Sequence, residues 1–61
     1  MKFIKLTTQN GDVYVVNVQH IIKLYAVMHN DTTFTRVVLT TGGGMIDTPE
    51  TVTEVMARIA F

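Results

Sequence analysis

The sequence predicts an α+β domain: a small antiparallel five-stranded β-sheet, curled or partly open like a barrel, closed by one C-terminal α-helix. Three observations predict it. Stretches of β-branched and aromatic residues alternate with turn formers such as Asn10-Gly11, His29-Asn30-Asp31-Thr32 and Gly42-Gly43-Gly44. Near the end, Val52, Val55, Met56 and Ile59 fall at i, i+3, i+4 and i+7, the apolar stripe of an amphipathic helix. The 61 residues contain no repeat and no linker, and suffice for a single domain spanning 1–61.

Strands are expected over residues 3–8, 12–18, 21–28, 33–41 and 45–47, and the helix over 49–60. Asn10-Gly11 between two apolar runs predicts a tight hairpin with positive φ at both central residues. Asn17-Val18-Gln19-His20 reads as a bend or bulge before the third strand. The triple glycine reads as a permissive turn into a short fifth strand. For the helix, Thr48 is the expected N-cap, Pro49 suits the first helical position, and Glu50 complements the positive dipole end. Glu54 and Arg58, four residues apart, are expected to pair.

The strands are apolar on both faces. Val13 and Val15 share one face of the second strand, Tyr14 and Val16 the other. In the third, Ile22, Leu24, Ala26 and Met28 oppose Ile21, Tyr25 and Val27, with Lys23 among the latter. In the fourth, Val37 and Leu39 oppose Phe34 and Val38. One helix covers one face, so the other calls for a second chain. A domain this small buries only about 60% of its unfolded surface, which also favours association. The expected self-association face is Tyr14, Val16, Ile21, Tyr25 and Val27.

The same residues narrow the chemistry. With no cysteine there is no disulfide, and His20 and His29 alone do not make a zinc site. No serine is present either, so a Ser or Cys nucleophile paired with histidine is excluded. The glycine run is not followed by Lys-Ser/Thr or directly by a helix, unlike a P-loop. Neither an enzyme nor a cofactor is expected. The opening Lys2-Phe3-Ile4-Lys5-Leu6 gives way at once to Thr7-Thr8-Gln9-Asn10, too soon for a signal peptide. No stretch approaches the roughly 20 apolar residues of a membrane span, so a cytoplasmic protein without membrane insertion is expected.

The leading expectation is therefore a non-enzymatic, homo-oligomeric interaction or regulatory module. Five Lys plus Arg balance five Asp plus Glu, so no overall basic field attracts nucleic acid. A local patch of Lys2, Lys5, Lys23 and Arg36, with Tyr14, Tyr25 or Phe34 for base stacking, defines a second reading as a regulator binding RNA or single-stranded DNA. A third is a small-molecule binder or inhibitor with a pocket between protomers near Gly42 to Gly44.

Leu6-Thr7 followed by Asn10-Gly11, then Val16-Asn17, Ile21, Val37-Val38-Leu39-Thr40 before Gly42, and Pro49-Glu50 leading to Val52, Val55 and Ile59 form a longer pattern. In it the chain resembles the small FlbD-type (SwrD-like) proteins encoded among flagellar genes, over nearly its whole length. The resemblance implies a flagellar role. The stretch from Ala26 to Thr33 is longer than in that family, and three glycines stand where one would suffice. The layout also looks like the dimeric RNA-binding carbon-storage-regulator family. Its RNA-contacting arginines do not carry over: those neighbourhoods hold Lys5 with Thr7-Thr8, and Met45-Ile46-Asp47.

Overall fold

The computed structural model describes residues 2–40 and 44–60. The order is β1 (Phe3–Thr7), β2 (Val13–Asn17), a 3-10 turn (Val18–His20), β3 (Ile21–His29), β4 (Thr32–Leu39), β5 (Met45–Thr48) and α1 (Val52–Ala60). Five strands and a C-terminal helix are present, yet they do not form the single five-stranded sheet expected. β1 and β2 make a two-stranded antiparallel sheet, and β3, β4 and β5 a separate three-stranded one in that order.

The division arises at the 3-10 turn. A tight hairpin there would have laid β3 beside β2. Instead Asn17 caps the turn, its side chain accepting from the Gln19 N–H at 3.0 Å, and the chain leaves β2 without pairing back onto it. His20 is tied to the far end of β4, its carbonyl accepting from the Thr40 N–H at 2.8 Å. β1 comes alongside β5 without joining its ladder. The two sheets are therefore held together by side chains.

Each hairpin follows from its turn residues, though not in the arrangement expected. Asn10-Gly11 does not form a two-residue turn with positive φ at both positions. Only Gly11 is left-handed, at φ 90°, with its N–H on the Thr8 carbonyl and the Thr8 N–H on the Asp12 carbonyl. This is the three-residue hairpin that ends on a left-handed glycine. The two-residue form occurs instead between β3 and β4, where Asn30 and Asp31 have φ 50° and 63° and His29 faces Thr32. Gly42 and Gly43 lie outside the described residues; Gly44 accepts from the Leu39 N–H at 2.9 Å.

The core lies between the two sheets and the helix. Ile4, Leu6 and Val16 from the hairpin, Val37 and Ile46 from the second sheet, and Val55 from α1 form one buried cluster. Leu6, Val37 and Val55 have no exposed surface. Val18, Ile21, Leu24, Leu39 and Ile59 pack around them. A bulge between Ile21 and Lys23 puts an extra residue, Ile22, opposite the Val38–Leu39 step. It brings both Ile21 and Leu24 to the core side, so Ile21 does not share a face with Tyr25 and Val27 as simple alternation suggests.

The helix starts later than expected. Its cap is Thr51, not Thr48: the Thr51 hydroxyl accepts from the Glu54 N–H at 3.1 Å, while the Glu54 carboxylate accepts from the Thr51 N–H at 3.2 Å. That reciprocal pair is a capping box. Thr48 serves the approach to the helix, accepting from the Glu50 N–H at 3.3 Å. Arg58 pairs with Glu50 and also donates to the Lys5 carbonyl at 3.2 Å. With Glu54 engaged at the cap, the nearer acceptor for Arg58 is Glu50, whose carbonyl also receives the buried Thr35 hydroxyl at 2.7 Å.

Removing a large side chain from a fully enclosed site costs about 2–5 kcal/mol, comparable to the roughly 3–5 kcal/mol that one small core supplies. Leu6→Ala is therefore expected to leave most of the chain unfolded, whereas Thr53→Ala, on the exposed side of α1, changes stability by less than about 0.5 kcal/mol. Urea titration followed by circular dichroism checks both.

Candidate functional site

The helix and the β1–β2 hairpin both pack on the same side of the three-stranded sheet, the side of Val37 and Ile46. Strand alternation sends the intervening residues to the opposite, outer side. Lys23, Tyr25 and Val27 stand there on β3, Phe34, Arg36 and Val38 on β4, and Met45 and Asp47 on β5. This face is the candidate site.

Its polar groups are arranged across the strands. Arg36 and Asp47 are opposite one another in the β4–β5 register, with Nε to Oδ1 at 2.9 Å and Nη2 to Oδ2 at 3.3 Å. Such a two-pronged contact suits the planar guanidinium. The hydrogen-bonded Asp47 carboxylate, and then the neighbouring Tyr25 hydroxyl, raises the already high pKa of Arg36, so the guanidinium remains charged throughout the pH range of folded proteins. Arg36 also lies over the Phe34 ring, 5.7 Å from its centroid, and Lys23 lies at the same distance over the ring of Tyr25. Val27, Val38 and Met45 surround these pairs with apolar surface.

The five residues expected to share an association face are distributed over three places. Tyr25 and Val27 do stand together on the outer face. Val16, at 6% exposure, is part of the core, and Ile21 packs against that core. Tyr14 projects from the hairpin beside a cleft of about 440 Å³ that Asn10, Leu39, Gly44, Met45 and Asp47 also line. Gly44, at the end of the glycine run, is among its lining residues.

The candidate cations are also divided. Lys23 and Arg36 share the outer face. Lys2 reaches the end of the helix, its Nζ donating to the Ile59 carbonyl at 2.9 Å. Lys5 is exposed on the outside of the β1–β2 hairpin. There Phe3, Val13 and Val15 make a second exposed apolar patch, which the expected association face did not include. Their alternation with buried Ile4, Leu6 and Val16 is the signal that separates outside from inside. Asp47 was also missed as a partner for Arg36, because that pairing depends on the β4–β5 register.

Among the described residues there is no group of three metal-ligating side chains, and no helix is long and apolar enough to cross a membrane. Comparison with known proteins finds no matching family model, no matching curated protein and no matching solved structure.

The Arg36–Asp47 pair makes the outer face less cationic than its composition suggests. Asp47→Asn is expected to elute from heparin at higher salt than the parent chain, with Lys23→Glu reversing that gain. Equal elution of all three forms would show that Asp47 does not mask Arg36.

Proposed function

We propose that this chain is a small non-enzymatic module that works by association, first with copies of itself, through its three-stranded sheet. The observation that carries the reading is where its uncovered apolar side chains lie. Helix and hairpin pack mainly on the inner side; on the outer side Phe34 is buried, next to a cleft that Gln9 and Pro49 also line, whereas Tyr25 and Met45 are exposed and Val27 and Val38 half-exposed. β3 also exposes Ile22 at the bulge and, on its inner side, Met28, the latter 74% exposed. Contiguous apolar surface of this kind marks contact with another macromolecule. A sequence without serine or cysteine, balanced in charge, supports association over catalysis. The likeness to FlbD-type proteins suggests a flagellar setting for such a module.

Binding of RNA or single-stranded DNA is a second reading with one observation in its favour: Lys23 and Arg36 share an open sheet face with Tyr25. Against it, Arg36 is already paired with Asp47.

Light scattering on the eluting chromatographic peak separates the two. Association predicts a mass at least about twice the 6.8 kDa chain at micromolar concentration, falling toward the monomer in Tyr25→Asp. A 6.8 kDa parent species that retards single-stranded RNA in a salt-dependent way would reverse the order of the two readings.

A further inference from the structure

We propose that the free edge of β3 pairs antiparallel with the same edge of a second copy, about a two-fold axis at Ala26, joining two three-stranded sheets into one. The inference deepens the self-association reading and rests on it.

β3 is the longest strand, nine residues, and stands at the end of its sheet with β4 on one side only. Among the described residues, no backbone hydrogen bond from another element reaches Leu24 through Met28 on the other side. Natural edge strands are protected by charge, proline, shortness or a covering segment. This one has no proline and a single charged residue, Lys23, near its start. It is built as an edge that pairs.

The hairpin turn determines which residues offer their backbone. His29 and Thr32 close a two-residue turn, so they are a hydrogen-bonded pair. Hydrogen-bonded and non-hydrogen-bonded pairs alternate from there. Val27 and Tyr25 therefore direct their N–H and C=O groups toward β4, whereas Met28, Ala26 and Leu24 direct theirs outward. A two-fold axis at Ala26 sets Ala26 opposite Ala26 of the second copy and Leu24 opposite its Met28, so all three outward residues pair in both directions. A dyad at Tyr25 or Val27 leaves one of them unmatched.

The side chains agree with that register. On the inner side, Met28, 74% exposed in the single chain, meets the partner's Leu24, which already packs on the core. Ala26 leaves room at the axis, where the two helices approach. On the outer side, Tyr25 faces the partner's Val27 twice, an aromatic and β-branched pairing that stabilises antiparallel sheets. The two Lys23 residues are ~20 Å apart along the strands, and the chain's formal net charge is +0, so charge does not oppose the pairing. A foreign strand would have to supply this complementarity; a second copy already has it.

The chain has no cysteine, so introduced thiols report the register directly. Directly opposite residues of a non-hydrogen-bonded pair have Cα atoms about 4.5 Å apart, within disulfide reach, whereas diagonal neighbours lie about 7–8 Å apart. Tyr25→Cys and Val27→Cys chains, mixed, refolded together and mildly oxidised, are expected to give the mixed disulfide well above the share that random pairing produces. Ala26→Pro, which removes an outward N–H without touching the β4 ladder, is expected to be monomeric with unchanged circular dichroism. A parent chain that is itself monomeric overturns this inference and self-association together. A dimeric parent with random cross-linking, or a folded and dimeric Ala26→Pro, overturns the β3 edge alone. Should Ala26→Pro fail to fold, the cross-link ratio decides.

Discussion

Leu6, Val37 and Val55 come from the hairpin, the middle strand of the second sheet and the helix, and none has any exposed surface. Their meeting is the constraint on which the rest depends, because among the described residues no ladder hydrogen bonds join one sheet to the other. Burial of this kind has no preferred direction; it rewards any arrangement that removes apolar area from water. Direction must therefore come from elsewhere.

Polar contacts around the helix supply it. Arg58 reaches both Glu50 and the Lys5 carbonyl, joining helix, helix approach and β1. Thr35 and Thr48 are opposite one another across β4 and β5, and both are buried with hydroxyls turned to Glu50. No buried side-chain nitrogen or oxygen among the described residues lacks a hydrogen-bond partner. Satisfied polar groups in an apolar interior favour one packing over its near neighbours, since each alternative would strand a donor or acceptor. With all of this on the inner side, the outer face contributes only the Arg36–Asp47 pair and the buried Phe34 side chain to the fold, and leaves Tyr25 and Met45 exposed for contact.

Much of the outline was legible in the residues themselves. The helix stripe of Val52, Val55, Met56 and Ile59 was visible from its helical spacing; Val55 is buried and Val52 and Ile59 are half-buried, while Met56 stays exposed. Strand positions followed from β-branched runs and turn residues. What local pattern did not hold was the choice of partners. Nothing near Val18-Gln19-His20 says whether the chain folds back or leaves the sheet; that depended on Val16 and Leu6 finding Val37 far along the chain. The same limit explains the candidate site. Alternation grouped Tyr25 with Val27 correctly, but it placed Ile21 with them because a bulge is invisible to a count of two. Val16 was assigned to the surface because the face of the hairpin that turns inward is set by packing. Thr48 and Thr51 both precede acidic residues, and only the Glu54 carboxylate at the right distance from Thr51 decides which one caps.

The bulge at Ile22 has a wider consequence. By absorbing one residue between Ile21 and Lys23, it shifts the phase of β3, so that the first residue of the strand and the remainder obey different parities. Lys23 is thereby turned to solvent at a point where uninterrupted alternation after Ile21 would have directed its ammonium into the core. The strand has two segments in series: a short anchor at Ile21 that packs on the interior, and a longer run in which Leu24 still packs on the core while the outer side, Lys23, Tyr25 and Val27, is free to diverge in chemistry. Sequence change in that longer run can alter what the surface recognises while the anchor keeps the domain assembled.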